Sequence, residues 1–151
     1  MEDADKIADL GRRLRQAGVP ADRLAIYRRT LHPEILGRAT AWAPDRPVEI
    51  FDREHGLDLS TGFAGSPLDR TMTEEEGCAL TRRDLARGGW QWAEAVRDED
   101  LSELRLMPLS HAAALAVATH CKEGFSEADL ALLDRFASIL KKGHGRLTRP
   151  I

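Results

Sequence analysis

Leu104-Arg105-Leu106-Met107-Pro108-Leu109-Ser110-His111-Ala112-Ala113-Ala114-Leu115-Ala116-Val117-Ala118-Thr119 reads as two strands joined by a tight connection. Leu104 to Leu109 carries the apolar and β-compatible residues of one strand. Ala112 to Thr119 is apolar at nearly every position, the pattern of a strand buried on both faces. Ser110-His111 leaves room only for a short turn, so the pair is expected as a hairpin. Antiparallel pairing at the centre of a sheet is therefore the starting point.

Downstream, Ser126-Glu127-Ala128-Asp129 is a capping-box variant that opens a helix running to about Lys142. Its apolar residues, Ala128, Leu130, Leu132, Leu133, Phe136, Ala137, Ile139 and Leu140, cover an arc of about 200°. That is wider than one sheet contact needs, so part of the arc is expected to meet a helix of a second chain. Upstream, residues 4–17 place Ile7, Leu10 and Leu14 on one side of a helix, with Gly18 and Pro20 as its stop. Strands are expected at Leu24 to Thr30, Arg38 to Ala43 and Val48 to Asp52, with Leu31-His32-Pro33-Glu34 as an interruption. Ser66-Pro67-Leu68-Asp69 starts a short helix that Gly77 is expected to end, and Cys78 to Arg82 reads as a further strand. Between Leu85 and Ser102 the pattern is weakest, with Gly88-Gly89 as a breaker and Trp90, Trp92, Ala93 and Val96 as a short helix. The order of helix, strands, short helix, strands and helix predicts an α+β domain with a central antiparallel sheet.

The chain has 151 residues, 42% of them hydrophobic, enough for one domain with its own core. Its 22 basic residues nearly balance 25 acidic ones, which argues against a dedicated nucleic-acid binder. The acidic start Met1-Glu2-Asp3-Ala4-Asp5 is unlike a secretory signal, and the longest apolar run, Ala112 to Ala118, is far below the roughly 20 residues that span a bilayer. A cytoplasmic protein without membrane or nucleic-acid partners is expected. Two cysteines, Cys78 and Cys121, exclude a disulfide framework beyond one bridge.

Several motifs occur in a telling order: Arg28-Arg29-Thr30-Leu31-His32-Pro33-Glu34-Ile35, Ala41-Trp42, Glu54-His55-Gly56, Ser66-Pro67-Leu68, Met107-Pro108-Leu109 and Gly124-Phe125-Ser126-Glu127-Ala128-Asp129-Leu130. In these residues the chain resembles the GAF-like sensory domain that precedes the catalytic domain of bacterial class III adenylate and guanylate cyclases. The resemblance covers about residues 5–142, with 143–151 as a C-terminal tail or truncated linker. It implies a six-stranded antiparallel sheet, homodimerisation through the terminal helices and control of a cyclase output domain. The 151 residues contain no stretch with the metal-binding aspartates of such a catalyst, so a regulatory, non-catalytic chain is expected. Two departures stand out, the short Ser110-His111 connection and the segment 83–102.

The ligand-facing candidates are Arg29, His32, Trp42, His55 and Trp90. Arg29 could pair with an anionic ligand, although a solvated face is the plainer reading. Arg28 and Arg29, as successive strand residues, must face opposite sides. His32 before Pro33 fits a loop brace as readily as a ligand contact. Trp42, Trp90 and Trp92 could cover an aromatic ligand or simply pack the core. His55, His111, His120 and Cys121 lack metal-ligand spacing, so neither metal nor any other cofactor is required. For a dimer interface the candidates are Ile7, Leu10, Leu14, Leu132, Phe136 and Ile139.

Three functions compete. One is a dimeric cytosolic sensor that takes a small molecule and signals through its terminal helices. A second is a ligand-free dimerisation module whose pocket has closed. The third is a GAF-fold methionine sulfoxide reductase, which would need Cys78 and Cys121, 43 positions apart, brought together.

Overall fold

The computed structural model describes residues 3–29, 35–54, 65–93 and 100–148. Helix α1 spans Asp3–Gln16 and carries Ile7, Leu10, Gly11 and Leu14 on its buried side, with acids in the first turn and arginines in the last, as the helix dipole favours. Gly18 stops it at φ +89°. Strands β1 (Arg23–Arg29), β2 (Ile35–Ala43) and β3 (Arg46–Glu54) follow as an antiparallel meander. Helix α2 (Pro67–Glu74) starts as expected, with Ser66 accepting from the Asp69 amide and proline at the first position. Strand β4 (Cys78–Thr81), helix α3 (Arg82–Gly88), a 3₁₀ turn at Gln91–Ala93, strands β5 (Glu103–Ser110) and β6 (Ala113–Thr119), and helix α4 (Glu127–Thr148) complete the order.

The six strands form one sheet in the order β3-β2-β1-β6-β5-β4, antiparallel throughout. The expected hairpin is β5–β6, and β6 lies between β5 and β1 with all seven residues buried. Its alternation splits the core in two. Ala113, Leu115 and Val117 pack with Leu24, Ile26, Trp42 and Leu109 under α1 and α4, against Ile7, Leu10, Leu14, Leu133 and Ala137. Ala114, Ala116 and Ala118 face the other way, with Ala25, Ala39 and Ala41 beside them, under Leu68, Met72, Leu85 and Trp92.

Three expectations change. Helix α2 ends at Glu74, because Glu75 takes the left-handed cap conformation at φ 53°; Gly77 instead lets the chain pass β5, where a Cβ would lie 2.9 Å from the Leu106 carbonyl oxygen. The segment 82–88 is a helix: Thr81 and Asp84 form a reciprocal capping box, and Gly89 closes the far end at φ 61°. Finally, Ile7, Leu10 and Leu14, expected at a dimer interface, are 0%, 7% and 0% exposed within this chain. The apolar stripe of α1 is consumed by its own sheet, mainly β2 and β1, and is not available to a second copy.

Candidate functional site

The two faces of the sheet differ in what covers them. The helix face is roofed by α1 and α4. The opposite face is floored by alanines from β1, β2 and β6 and covered by α2 and by the aromatic segment around the 3₁₀ turn. Six alanines contribute little volume, so the space above them is filled from the cover, by Leu68, Met72 and Trp92 together with Tyr27 of β1.

Trp92 is the centre of that filling. Its ring meets Tyr27 edge-on, centroids 6.0 Å apart at 78°, and stacks on Trp90 at 5.6 Å and 12°. The indole Nε1 donates to Ser66 Oγ at 3.1 Å, and the Tyr27 hydroxyl donates to the Trp92 carbonyl at 3.3 Å. Trp90 lies over the end of α3, where Gly88 has no side chain; a Cβ there would overlap its ring. The two tryptophans therefore share one face even though the 3₁₀ turn separates them by only two positions.

Arg28 and Arg29 take opposite faces, as strand geometry requires. Arg28 holds Asp3 of α1 with two bonds, 2.6 and 2.9 Å. Arg29 pairs with Asp69 of α2 at the rim of the alanine floor. Asp69 also accepts from the Gly65 amide at 2.8 Å. The Arg29 side chain is 42% exposed, so this pair sits in solvent reach and adds little stability by itself.

The candidate residues are not all brought together. Arg29 and Trp90 belong to the alanine face. Trp42 is on the helix face, 7% exposed, pressed against α1 at Gly11, where a Cβ would lie 2.6 Å from its ring carbons. It is a core residue, removed from the other two by the thickness of the sheet. His32 and His55 lie outside the described residues. A hollow beside Trp42, between Arg23, Ala43, Arg46, Pro47 and Glu49, has about 10 Å³, room for roughly one water. Sequence reasoning missed Tyr27, Ser66 and Asp69 as members of the alanine-face site. The available signal was parity, since Tyr27 and Arg29 are two apart on one strand.

Titratable groups here are tuned for structure. Burial raises the Cys78 pKa, and the hydrogen bond it shares with the Thr71 hydroxyl opposes the rise. The hydrogen bond from Cys121 Sγ to Glu123, 3.2 Å, raises the Cys121 pKa and lowers that of Glu123. Both cysteines are free and stay thiols at neutral pH. Cys78 lies level with Leu106 of β5, which pairs with Ala116 of β6, whereas Cys121 follows the far end of β6. They are two strand spacings, about 10 Å, apart across the sheet and further along it. That separation removes the arrangement a dithiol reductase would use. Among the described residues no group of three or more His, Cys, Asp or Glu side chains could hold a metal ion. His120 acts as a brace, its amide donating 2.8 Å to Asp22 and its Nδ1 2.9 Å from the Asp100 carbonyl.

The outer surface of α4 is partly apolar. Leu133 and Ala137 are buried on the sheet, Leu132 and Phe136 are half-buried, and Ile139 is 66% exposed. No described helix is long and apolar enough to cross a membrane.

Comparison with solved structures places this architecture. The GAF domain of a two-component sensor histidine kinase from Bacillus halodurans is similar over 99% of both chains, with a TM-score of 0.65 at 12% identity. A red/green cyanobacteriochrome in its red light-absorbing state matches 99% of this chain and 100% of its own, with a TM-score of 0.61 at 15% identity. A far-red cyanobacteriochrome photoreceptor matches 95% of this chain and 86% of its own, with a TM-score of 0.59 at 12% identity. Neither a protein-family model nor a curated protein sequence matches the chain. At these identities the likeness shows the fold, a GAF-like α+β domain.

Proposed function

We propose that this chain is a cytosolic regulatory domain that takes a small molecule on its alanine face and passes the change to an attached output through α1 and α4. One observation carries the reading: the sheet separates an aromatic-covered floor on one side from both terminal helices on the other. Adjacent residues of β1, Arg28 and Arg29, hold one element on each side, so a shift of the cover is felt one peptide away from the terminal helix. The fold shared with a sensor kinase domain and with photoreceptors supports a sensory role. The motif resemblance favours a class III nucleotide cyclase of bacterial type as the output, and the apolar stripe of α4 favours a homodimer. The first test is a thermal-shift and NMR titration with cyclic nucleotides, haem and aromatic metabolites. A ligand at 100 times its Kd should stabilise the domain by about 2.7 kcal/mol and move the Trp90 and Trp92 resonances while sparing Trp42. A complete screen without such a response would overturn the reading.

A second reading, a dimerisation module with a closed pocket, draws on the filling of the alanine face by Leu68, Met72 and Trp92, all at most 8% exposed. It predicts a ligand-independent dimer by light scattering and an empty screen.

A further inference from the structure

Tyr27 and Arg29 stand two residues apart on β1 and project from the same side of the sheet. Both reach into the cover. The Tyr27 hydroxyl donates to the carbonyl of Trp92, the Trp92 indole donates to Ser66 Oγ, the same oxygen accepts from the Asp69 amide at 3.4 Å, and the Asp69 carboxylate accepts from Arg29. The path leaves β1 at Tyr27, passes through the 3₁₀ segment and the start of α2, and returns to β1 at Arg29. We infer that this closed circuit is a clasp that regulates access to the alanine face, with Trp92 as the internal occupant that leaves when the clasp opens. The inference rests on the reading of that face as a ligand site.

Three features suit the circuit to opening as a unit. Its cover side belongs to short elements, an eight-residue helix and a three-residue turn, which have little stability of their own. Strands β1, β2 and β6 offer alanines to the cover, so on that part of the face few large side chains interlock, while Leu104 and Leu106 of β5 pack beside it. The Arg29–Asp69 link is the solvent-reachable one, where water or a competing anion can substitute for either partner. Once Trp92 lifts, Ser66 Oγ is left as an acceptor for a second donor over an apolar floor. That chemistry fits a planar aromatic compound bearing an N–H donor, of which indole is the simplest probe.

The test is hydrogen exchange at the Trp92 indole N–H, followed by NMR in the full chain, with Trp42 on the opposite face as the internal reference. Tyr27→Phe removes the hydroxyl link and Asp69→Asn takes the charge from the second link, both keeping shape. Each is expected to speed Trp92 exchange about threefold and leave Trp42 unchanged. The double variant should exchange no faster than the faster single one, because a circuit broken once is already open. Unchanged Trp92 exchange in both variants, equal acceleration at Trp42, or effects that multiply in the double variant would each overturn the clasp. Titrating the wild-type chain with indole separates the two ideas. Movement of Trp90 and Trp92 with inert variants keeps the ligand site and removes the clasp. Responsive variants with no indole effect keep the clasp and remove this ligand class.

Discussion

Leu115 and Ala116 are neighbours on β6, each fully buried, and they face two different kinds of core. On the Leu115 side, large aliphatic side chains of β1, β5 and β6 interlock with two long helices. On the Ala116 side, β1, β2 and β6 supply alanines apart from Tyr27, β4 and β5 add Leu80, Leu104 and Leu106, and short elements tied down by polar bonds fill the rest. Burial is equal on the two sides, but the source of the packing is not. A face built from its own large side chains is stiff, and one filled from a detachable cover can change.

The comparison can be broken most sharply at Leu115. Leu115→Ala should cost about 2–5 kcal/mol in denaturant unfolding, since the helix roof cannot collapse into the void. A loss below about 1 kcal/mol would mean that the helix face is no stiffer than the other. Gly11→Ala comes next. Alanine favours a helix by about 1 kcal/mol over glycine, yet the added methyl meets the buried Trp42 ring, so a net loss of about 1–3 kcal/mol is expected. Stabilisation instead would show that α1 can slide on the sheet. On the cover side, Thr81→Ala removes the cap of α3 and should cost about 1 kcal/mol, seen as faster amide exchange confined to residues 82–88.

Asp84 sharpens the same point through pH. The Thr81 amide donates to its carboxylate at 2.9 Å, and this bond, with the adjoining Thr81 side chain, lowers its pKa below the usual 3.8. A depressed folded-state pKa gives stability that is present above the unfolded value and is lost as pH falls through the folded one. The α3 cap should therefore loosen only below about pH 4, and Asp84→Asn should flatten that response in an acid titration of amide exchange. The smallest effect on folding is expected at Ile139→Asp, within about 0.5 kcal/mol, because the side chain is exposed. The same variant should convert a dimer to a monomer in light scattering if the stripe of α4 is the contact; an unchanged dimer would place it elsewhere.

The stiff face was the legible one. Periodicity in 4–17 and 126–142 and the apolar run of β6 are local signals, and they marked both terminal helices and the central hairpin. Periodicity reports that a face is apolar without saying what it meets, which is why Ile7, Leu10 and Leu14 read equally well as interface or core. The cover was harder. Helix α3 has one buried residue, Leu85, so its apolar pattern is nearly silent, and the Thr81–Asp84 cap was its main trace. The site ring of Tyr27, Trp92, Ser66, Asp69 and Arg29 joins positions up to 65 residues apart through single polar bonds, which leave no local pattern. Trp42 joined the wrong set because composition shows a tryptophan but only strand parity assigns its face.

The strand order has a consequence for how the chain is made. β1 pairs on one side with β2, its neighbour in sequence, and on the other with β6, Arg23 lying opposite Ala118. The two meanders, β1 to β3 and β4 to β6, meet only along that seam. A ribosome that has released the first meander has produced strands whose largest partner surface does not yet exist. The buried side chains of Leu24 and Ile26 must wait for Leu115 and Val117, some ninety residues later, so closing this seam is the slow, long-range step of folding.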